Sequence, residues 1–146
     1  MTILMTGQKE NSVSSGSMKT SFTLLSDGTL SAVTRTWTRV KMKGFTGAVC
    51  IVLLDKNKNP IWSSSSQSYG VDGRWIGRSD RTEHWRASVP SDILPHVKGY
   101  SILQAHNPEW TRRVGARIDQ FLGWLNSGEG RGTLELIKSL AVTNPV

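Results

Sequence analysis

Cysteine is almost absent from this sequence, since Cys50 is the only one among its 146 residues. An internal disulfide is therefore excluded. Cys50 lies within the apolar run 48–54, where a thiol packs as a small hydrophobic side chain and is poorly placed to act as a nucleophile. A chain of this length can bury enough surface to fold without covalent or metal crosslinks.

Long hydrophobic runs are also missing. No stretch approaches the roughly 18 apolar residues that a membrane-spanning helix needs. Residues 1–6 have no basic start and are not followed by a long apolar core, so we expect no signal peptide. The expected location is cytoplasmic by default, although a mature secreted form would have the same features.

The motifs of the common catalytic and metal-binding families are absent as well. The sequence contains no Gly-x-Ser-x-Gly, no His-Glu-x-x-His and no phosphate-binding Gly-x-x-x-x-Gly-Lys. The acidic residues Asp72, Asp80 and Glu83 do not follow the spacing of a calcium loop. The histidines and Cys50 do not have the spacing of zinc ligands. We therefore expect no metal ion and no cofactor.

Basic side chains and tryptophan are abundant. The formal net charge is +7, and such a surplus attracts anionic partners such as nucleic acid, acidic glycans or acidic protein surfaces. Six tryptophans are present, and this residue type is enriched where proteins bind their ligands. Most Trp side chains are nevertheless packed in protein cores, so the composition alone assigns none of them to a site.

Strand patterns follow an N-terminal segment, residues 1–19, that is polar and contains a run rich in Ser and Gly. We expect this segment to be a flexible tail. Asp27 and Gly28 lie between two runs rich in β-branched and apolar residues, which predicts a tight hairpin turn. The continuous apolar run 48–54 predicts a strand that is buried on both faces.

The last third of the chain changes to a helical period. Pro108 at a helix start is followed by apolar residues at intervals of three and four, which predicts an amphipathic helix over 108–126. A short second helix is predicted over 134–140. Consecutive strands joined by short turns indicate antiparallel pairing. We therefore expect one mainly β domain over 20–146, an antiparallel β-sandwich or compact barrel of five to seven strands with a C-terminal amphipathic helix.

The segment 69–86 has the composition of a binding site. Its glycine-rich loop and the strand after it contain the candidate ligand-binding residues Arg74, Trp75, Arg78, Asp80, Arg81, His84, Trp85 and Arg86. Planar guanidinium groups bind carboxylate or phosphate with two hydrogen bonds, and Trp rings stack on sugars, bases or cations. The alternative is that these arginines pair with the acidic residues of the same segment while the Trp rings pack into the fold.

These observations lead to a non-catalytic binding module as the expected function. In this hypothesis the Arg/Trp-rich loop at 69–86 recognises an anionic or polyhydroxylated ligand, which is a glycan, a phosphorylated molecule or an acidic protein surface. The alternative is a small-molecule enzyme in which His84 and Asp80 act as acid-base residues in an enclosed β-barrel or sandwich cavity. A third hypothesis is binding to nucleic acid or a membrane surface through net charge, which would fall steeply with salt.

Overall fold

The fold is given by a computed structural model that describes residues 2–38, 44–71, 80–106, 108–114 and 117–143. Two antiparallel sheets pack face to face, and a helical layer covers the outer side of the second sheet. The expected mainly β fold with a C-terminal helix is confirmed, and the arrangement is a sandwich rather than a closed barrel. It is a sandwich because the described strands form two sheets with no hydrogen-bonded strand pairing between them.

The described residues contain nine strands rather than five to seven. These are β1 (Ile3–Val13), β2 (Gly16–Leu25), β3 (Thr29–Thr38), β4 (Phe45–Leu54), β5 (Pro60–Ser63), β6 (Gln67–Val71), β7 (Asp80–Ser88), β8 (Gly99–His106) and β9 (Val142–Thr143). The first sheet has the order β1-β2-β3-β7. In the second sheet β4 pairs with β8, β8 pairs with β9, and β5 and β6 pair with successive parts of the other edge of β4.

The hairpin turn at Asp27 and Gly28 is confirmed. Gly28 has a φ of +94°, a conformation that side chains other than glycine rarely adopt. Its backbone N–H donates to the Leu25 carbonyl at 3.0 Å, and the Asp27 carboxylate accepts a hydrogen bond from the Thr29 N–H at 2.9 Å. The turn joins β2 to β3, which are the two central strands of the first sheet.

The N-terminal segment corrects the expectation of a flexible tail over residues 1–19, because β1 and the start of β2 lie within it. Val13 pairs with Gly16 across a two-residue turn, in which Ser14 has a φ of +52°. One side of β1 faces the core, where Met5 and Val13 are buried, and the other side faces solvent. The solvent side accounts for the polar composition, which resembles that of a disordered segment when no partner strand is known.

The run 48–54 belongs to β4, and its burial on both faces is confirmed. Val49, Ile51 and Leu53 pack in the core between the two sheets. Cys50 and Val52 point the opposite way and pack under the helical layer. Burial raises the pKa of the Cys50 thiol, so the group remains protonated and unreactive at neutral pH.

The region 108–126 was expected to form a single helix, but in the structure it contains two separate helices. A 3-10 helix, Glu109–Arg112, is followed by the α-helix α1, Ile118–Leu125, and the two are separate because Arg117 has extended backbone angles. The α-helix α2 then runs over Arg131–Ser139, close to the expected 134–140. Both parts of the first region still contribute to the core beneath the helices, where Trp110 and Phe121 are buried.

A chain of buried hydrogen bonds connects the two sheets. Trp85 Nε1 donates to Thr34 Oγ1 at 3.0 Å, and the Thr34 and Thr20 hydroxyl oxygens lie 2.9 Å apart. Thr20 Oγ1 in turn donates to Gln104 Oε1 at 2.6 Å. Because Thr20 uses its single hydroxyl hydrogen on Gln104, Thr34 must be the donor to Thr20. Gln104 Nε2 then donates to Asn11 Oδ1 at 2.7 Å, so one directed series joins β7, β3, β2, β8 and β1.

Candidate functional site

Strand β7 divides the predicted binding residues between two sides of the first sheet. Asp80, His84 and Arg86 lie on the outer face, whereas Arg81 and Trp85 point to the side that faces the second sheet. Alternation is the cause, since successive side chains of a strand point to opposite faces. These five residues therefore cannot surround a single ligand.

The connection between β6 and β7 carries the other candidates, Arg74, Trp75 and Arg78. These three residues lie outside the described residues, and their role in ligand binding stays a prediction. The two ends of the connection are close together, because Arg81 Nη1 donates to the Gly70 carbonyl at 3.1 Å. Strands β6 and β7, which flank the connection, therefore lie at adjacent edges of the two sheets.

Trp85 is placed inside the sandwich, which corrects its expected role as a stacking platform. Its side chain is 7% exposed, and its only N–H group donates to Thr34. A ring that packs in the core and spends its one donor internally has no face to offer to a ligand. Trp85 contributes to the fold in this structure, as the alternative of internally packed Trp rings expects for this residue.

Asp80 is paired with an arginine from another strand. The Arg35 guanidinium binds the Asp80 carboxylate with both Nε and Nη2, at 3.0 Å to Oδ1 and 2.6 Å to Oδ2. This hydrogen bonding lowers the pKa of Asp80 below its ordinary value. The same guanidinium lies 4.4 Å from the ring centroid of Trp37, so three side chains form one ordered group.

Arg81 is engaged by its own neighbours. Its Nε lies 2.7 Å from a Glu83 carboxylate oxygen, and its guanidinium lies 5.4 Å from the ring centroid of Tyr69. Burial is the largest cause of the raised pKa of Tyr69, and the Glu83 charge adds to it. The local pairing considered as an alternative is therefore present for Arg81, whereas Asp80 pairs outside the segment.

The outer face of the first sheet is exposed and combines hydroxyl groups with cationic groups. Cross-strand pairing places Ser21, Val33 and His84 in one row, Thr23, Ser31 and Arg86 in the next, and Lys19, Arg35 and Thr82 in a third. We call the surface formed by Lys19, Ser21, Thr23, Ser31, Thr82, His84 and Arg86 the outer patch. Strands lie about 4.8 Å apart, so the four-stranded face measures roughly 14 Å across.

Part of the outer patch could not be recognised from the sequence. Lys19 falls in the segment expected to be a tail, and nothing in the local sequence marks Ser21 or Ser31 as binding residues. The sequence does place Arg35 and Trp37 on one face of a strand, because they alternate with Thr34 and Thr36. The structure places those threonines in the core and the Arg and Trp side chains on the outer face.

The geometry does not assemble the expected acid-base pair. His84 and Asp80 share the outer face of β7, but they are four residues apart, which is about 13 Å along a strand. Asp80 is occupied by Arg35, and His84 is exposed on an open sheet surface. Two cavities lie in and beside the helical layer, and neither His84 nor Asp80 lines either of them.

Searches for metal sites, membrane-spanning helices and known relatives do not identify a function. Within the described ranges, no three His, Cys, Asp or Glu side chains are grouped so that they could hold a metal ion. None of the helices in the described part of the chain combines the length and apolar character needed to cross a membrane. Comparison with protein-family models, with curated proteins and with solved structures found no match to this chain.

Proposed function

We propose that this protein is a non-catalytic binding module that recognises an anionic, polyhydroxylated ligand, and that the ligand lies on the outer patch. One observation carries the proposal. The helical layer covers the outer side of the second sheet, whereas the equivalent side of the first sheet is exposed and bears Lys19, His84 and Arg86. Sandwich proteins commonly leave one such face in contact with water.

The chemistry of the outer patch favours an acidic glycan over the other ligands considered. Ser and Thr hydroxyls both donate and accept, which suits the hydroxyl groups of sugars. Among the described residues, no carboxylate lies within ion-pair distance of Lys19 or Arg86, although Glu10 is directly opposite Lys19 in the pairing of β1 with β2. Both cations can therefore meet sulfate or carboxylate groups. A small phosphorylated molecule would need a concave pocket. A protein partner would need a cluster of apolar anchors, whereas Val33 and Trp37 are four residues apart on this face and the Trp37 ring is covered by the Arg35 guanidinium.

Asp80 and Arg35 support the patch without binding the ligand themselves. Their bidentate pair neutralises both charges at one end of the face, and Trp37 holds the guanidinium in place. An ordered group of this kind keeps the neighbouring strand surface rigid. The free cations lie in the adjacent rows, where Lys19 and Arg86 flank the row of His84.

The proposal is tested by measuring binding to heparin, a sulfated glycan, and to dextran, a neutral one, by isothermal titration calorimetry at several salt concentrations. We expect heparin to bind, dextran to bind more weakly, and heparin affinity to fall as salt rises. The double variant His84→Gln with Arg86→Gln should lose about tenfold or more in affinity, since loss of the Arg86 charged contact alone removes roughly 1.5 kcal/mol. Arg131→Gln, which removes an exposed cation on α2, is the matched control and should leave binding unchanged.

A second variant separates the outer patch from the connection between β6 and β7. Trp75→Ala combined with Arg78→Ala should leave most of the heparin affinity, because the proposal assigns binding to the sheet face. Loss of affinity in this variant alone would assign the ligand to the connection and overturn the placement. Equal losses in the Arg131→Gln control and in the patch variant would reduce the interaction to net charge and overturn the proposal.

A further inference from the structure

The helical layer contains an open groove on the opposite side of the molecule from the outer patch. The groove has a volume of about 620 Å³. It is lined by Pro108, Glu109, Thr111, Arg112, Arg113, Trp124 and Glu129. A volume of this size falls in the range of sites for small molecules. It belongs to a different layer from the proposed glycan surface and is independent of it.

The backbone around the groove is held in place by specific contacts. On one side, the Arg113 N–H donates to the Trp110 carbonyl at 2.9 Å and closes the 3-10 helix. On the other side, Ser127 Oγ donates to the Trp124 carbonyl at 2.5 Å and accepts from the Gly130 N–H at 3.3 Å. A Cβ atom at position 130 would collide with the Trp124 carbonyl oxygen, so the tight turn requires glycine. These contacts position Glu129 at the edge of the groove.

The charged side chains of the groove are balanced in sign. Arg112 and Arg113 contribute two positive charges, and Glu109 and Glu129 contribute two negative charges. The Arg113 guanidinium lies 5.7 Å from the ring centroid of Trp124 and 3.9 Å from a Glu129 carboxylate oxygen. The second distance is at the limit of an ion pair, and both partners are at least half exposed, so the pair is weak and open to exchange.

We propose that this groove binds a small zwitterion of the amino acid or short peptide class. The ligand carboxylate binds the guanidinium groups of Arg112 and Arg113, and its ammonium group binds the carboxylates of Glu109 and Glu129. A ligand with negative charge alone would be repelled by the two glutamates, and one with positive charge alone by the two arginines. Only a ligand that carries both charges meets favourable partners for each.

The orientation of Arg113 supports a carboxylate partner. The Trp124 ring lies beside the guanidinium and restricts its conformations, which lowers the entropy lost when a ligand is bound. Five N–H groups are available on a guanidinium, and Glu129 can occupy only part of that capacity. An incoming carboxylate can therefore bind Arg113 while Glu129 turns to the ligand ammonium group.

The test measures binding of the dipeptide alanyl-alanine by calorimetry, together with two analogues that each carry one charge. N-acetyl-alanyl-alanine retains the carboxylate, and alanyl-alaninamide retains the ammonium group. We expect the dipeptide to bind the wild-type protein and each analogue to bind about tenfold more weakly, since each loses one set of charged hydrogen bonds. Comparable affinities for all three compounds, or no detectable binding of the dipeptide, would overturn the proposal.

Two single variants assign the contacts to residues. Arg112→Gln and Glu129→Gln remove exposed charges, so neither should affect folding, and each should weaken dipeptide binding by about tenfold. Arg112→Gln should also reduce the preference for the dipeptide over the amide, which a general effect on the fold would not do. Unchanged dipeptide affinity in either variant, or an equal loss in the Arg131→Gln control, would refute the assignment.

Discussion

Trp85 provides the sharpest test of the structure, because it was expected to stack on a ligand and is found in the core. Its Nε1 donates to Thr34 Oγ1 at 3.0 Å, and the Thr34 side chain is fully buried. Thr34→Val would leave the indole N–H without a partner, and we expect the free energy of unfolding to fall by about 1–3 kcal/mol. Trp85→Phe removes the hydrogen bond and part of the packed ring, and we expect a loss of similar size.

The double variant measures the coupling free energy between Thr34 and Trp85. Once the indole N–H is absent, replacing the Thr34 hydroxyl no longer leaves a buried donor unpaired. We therefore expect Thr34→Val and Trp85→Phe together to cost about 1 kcal/mol less than the sum of the two single losses. The free energies are measured by urea unfolding monitored by circular dichroism, so that removal of a Trp does not affect the signal.

Thr82→Val is the control for this cycle, since Thr82 lies on the exposed outer face, and it should change the stability by no more than about 0.5 kcal/mol. Strict additivity of the two core substitutions would contradict the hydrogen bond. A Trp85→Phe variant that keeps full stability but loses heparin binding would refute the internal role and restore the ligand role.

Two further predictions concern the sheet and its charged pair. Gly7→Ala should strongly destabilise the protein, because the added methyl would lie 2.5 Å from two aromatic side chains. Gly132→Ala is the control, since its methyl has open space and should be neutral or stabilising. Equal melting temperatures of the two variants in thermal unfolding would contradict the packing of β1. The lowered pKa of Asp80 means that its pair with Arg35 stabilises the fold above pH 4 or so and is lost as pH falls through the pKa of the folded state. The melting temperature of Asp80→Asn should therefore fall less than that of the wild type between pH 5 and pH 2, with Asp92→Asn as the control, and an identical fall would refute the coupling.

Local sequence signals predicted the parts of the fold that depend on near neighbours. The apolar run of β4 and the Asp27-Gly28 turn were both predicted, because burial on two faces and positive φ angles select residue types directly. Strand β1 was missed because its order depends on pairing with β2 and on one buried side. Gly7 illustrates the difficulty: it resembles a flexible residue in the sequence, yet its lack of a side chain makes room for aromatic rings.

The candidate site was predicted only as a segment. Composition identified a region rich in Arg and Trp, and β7 within it carries His84 and Arg86 on the exposed face. Alternation along the strand separates Trp85 from His84 and Arg86, but which of the two faces is buried could not be predicted from the segment alone, so Trp85 was assigned to a ligand although it is buried. The ion-pair partner of Asp80 could not be predicted from the sequence either, because Arg35 is 45 residues away in the chain and becomes its neighbour only through pairing of β3 with β7.

The amino-acid sequence by itself determined the class of fold and the abundance of cationic, hydroxyl and indole groups, since hydrophobic period and residue type act locally. Which of those groups reach solvent was decided only by the tertiary structure. The helical layer covers one sheet and leaves the other open, and strand register then places Lys19 and Arg86 on opposite sides of the row of His84. Burial and pairing depend on residues far apart in the chain, and for that reason they appear only when the two sheets have come together.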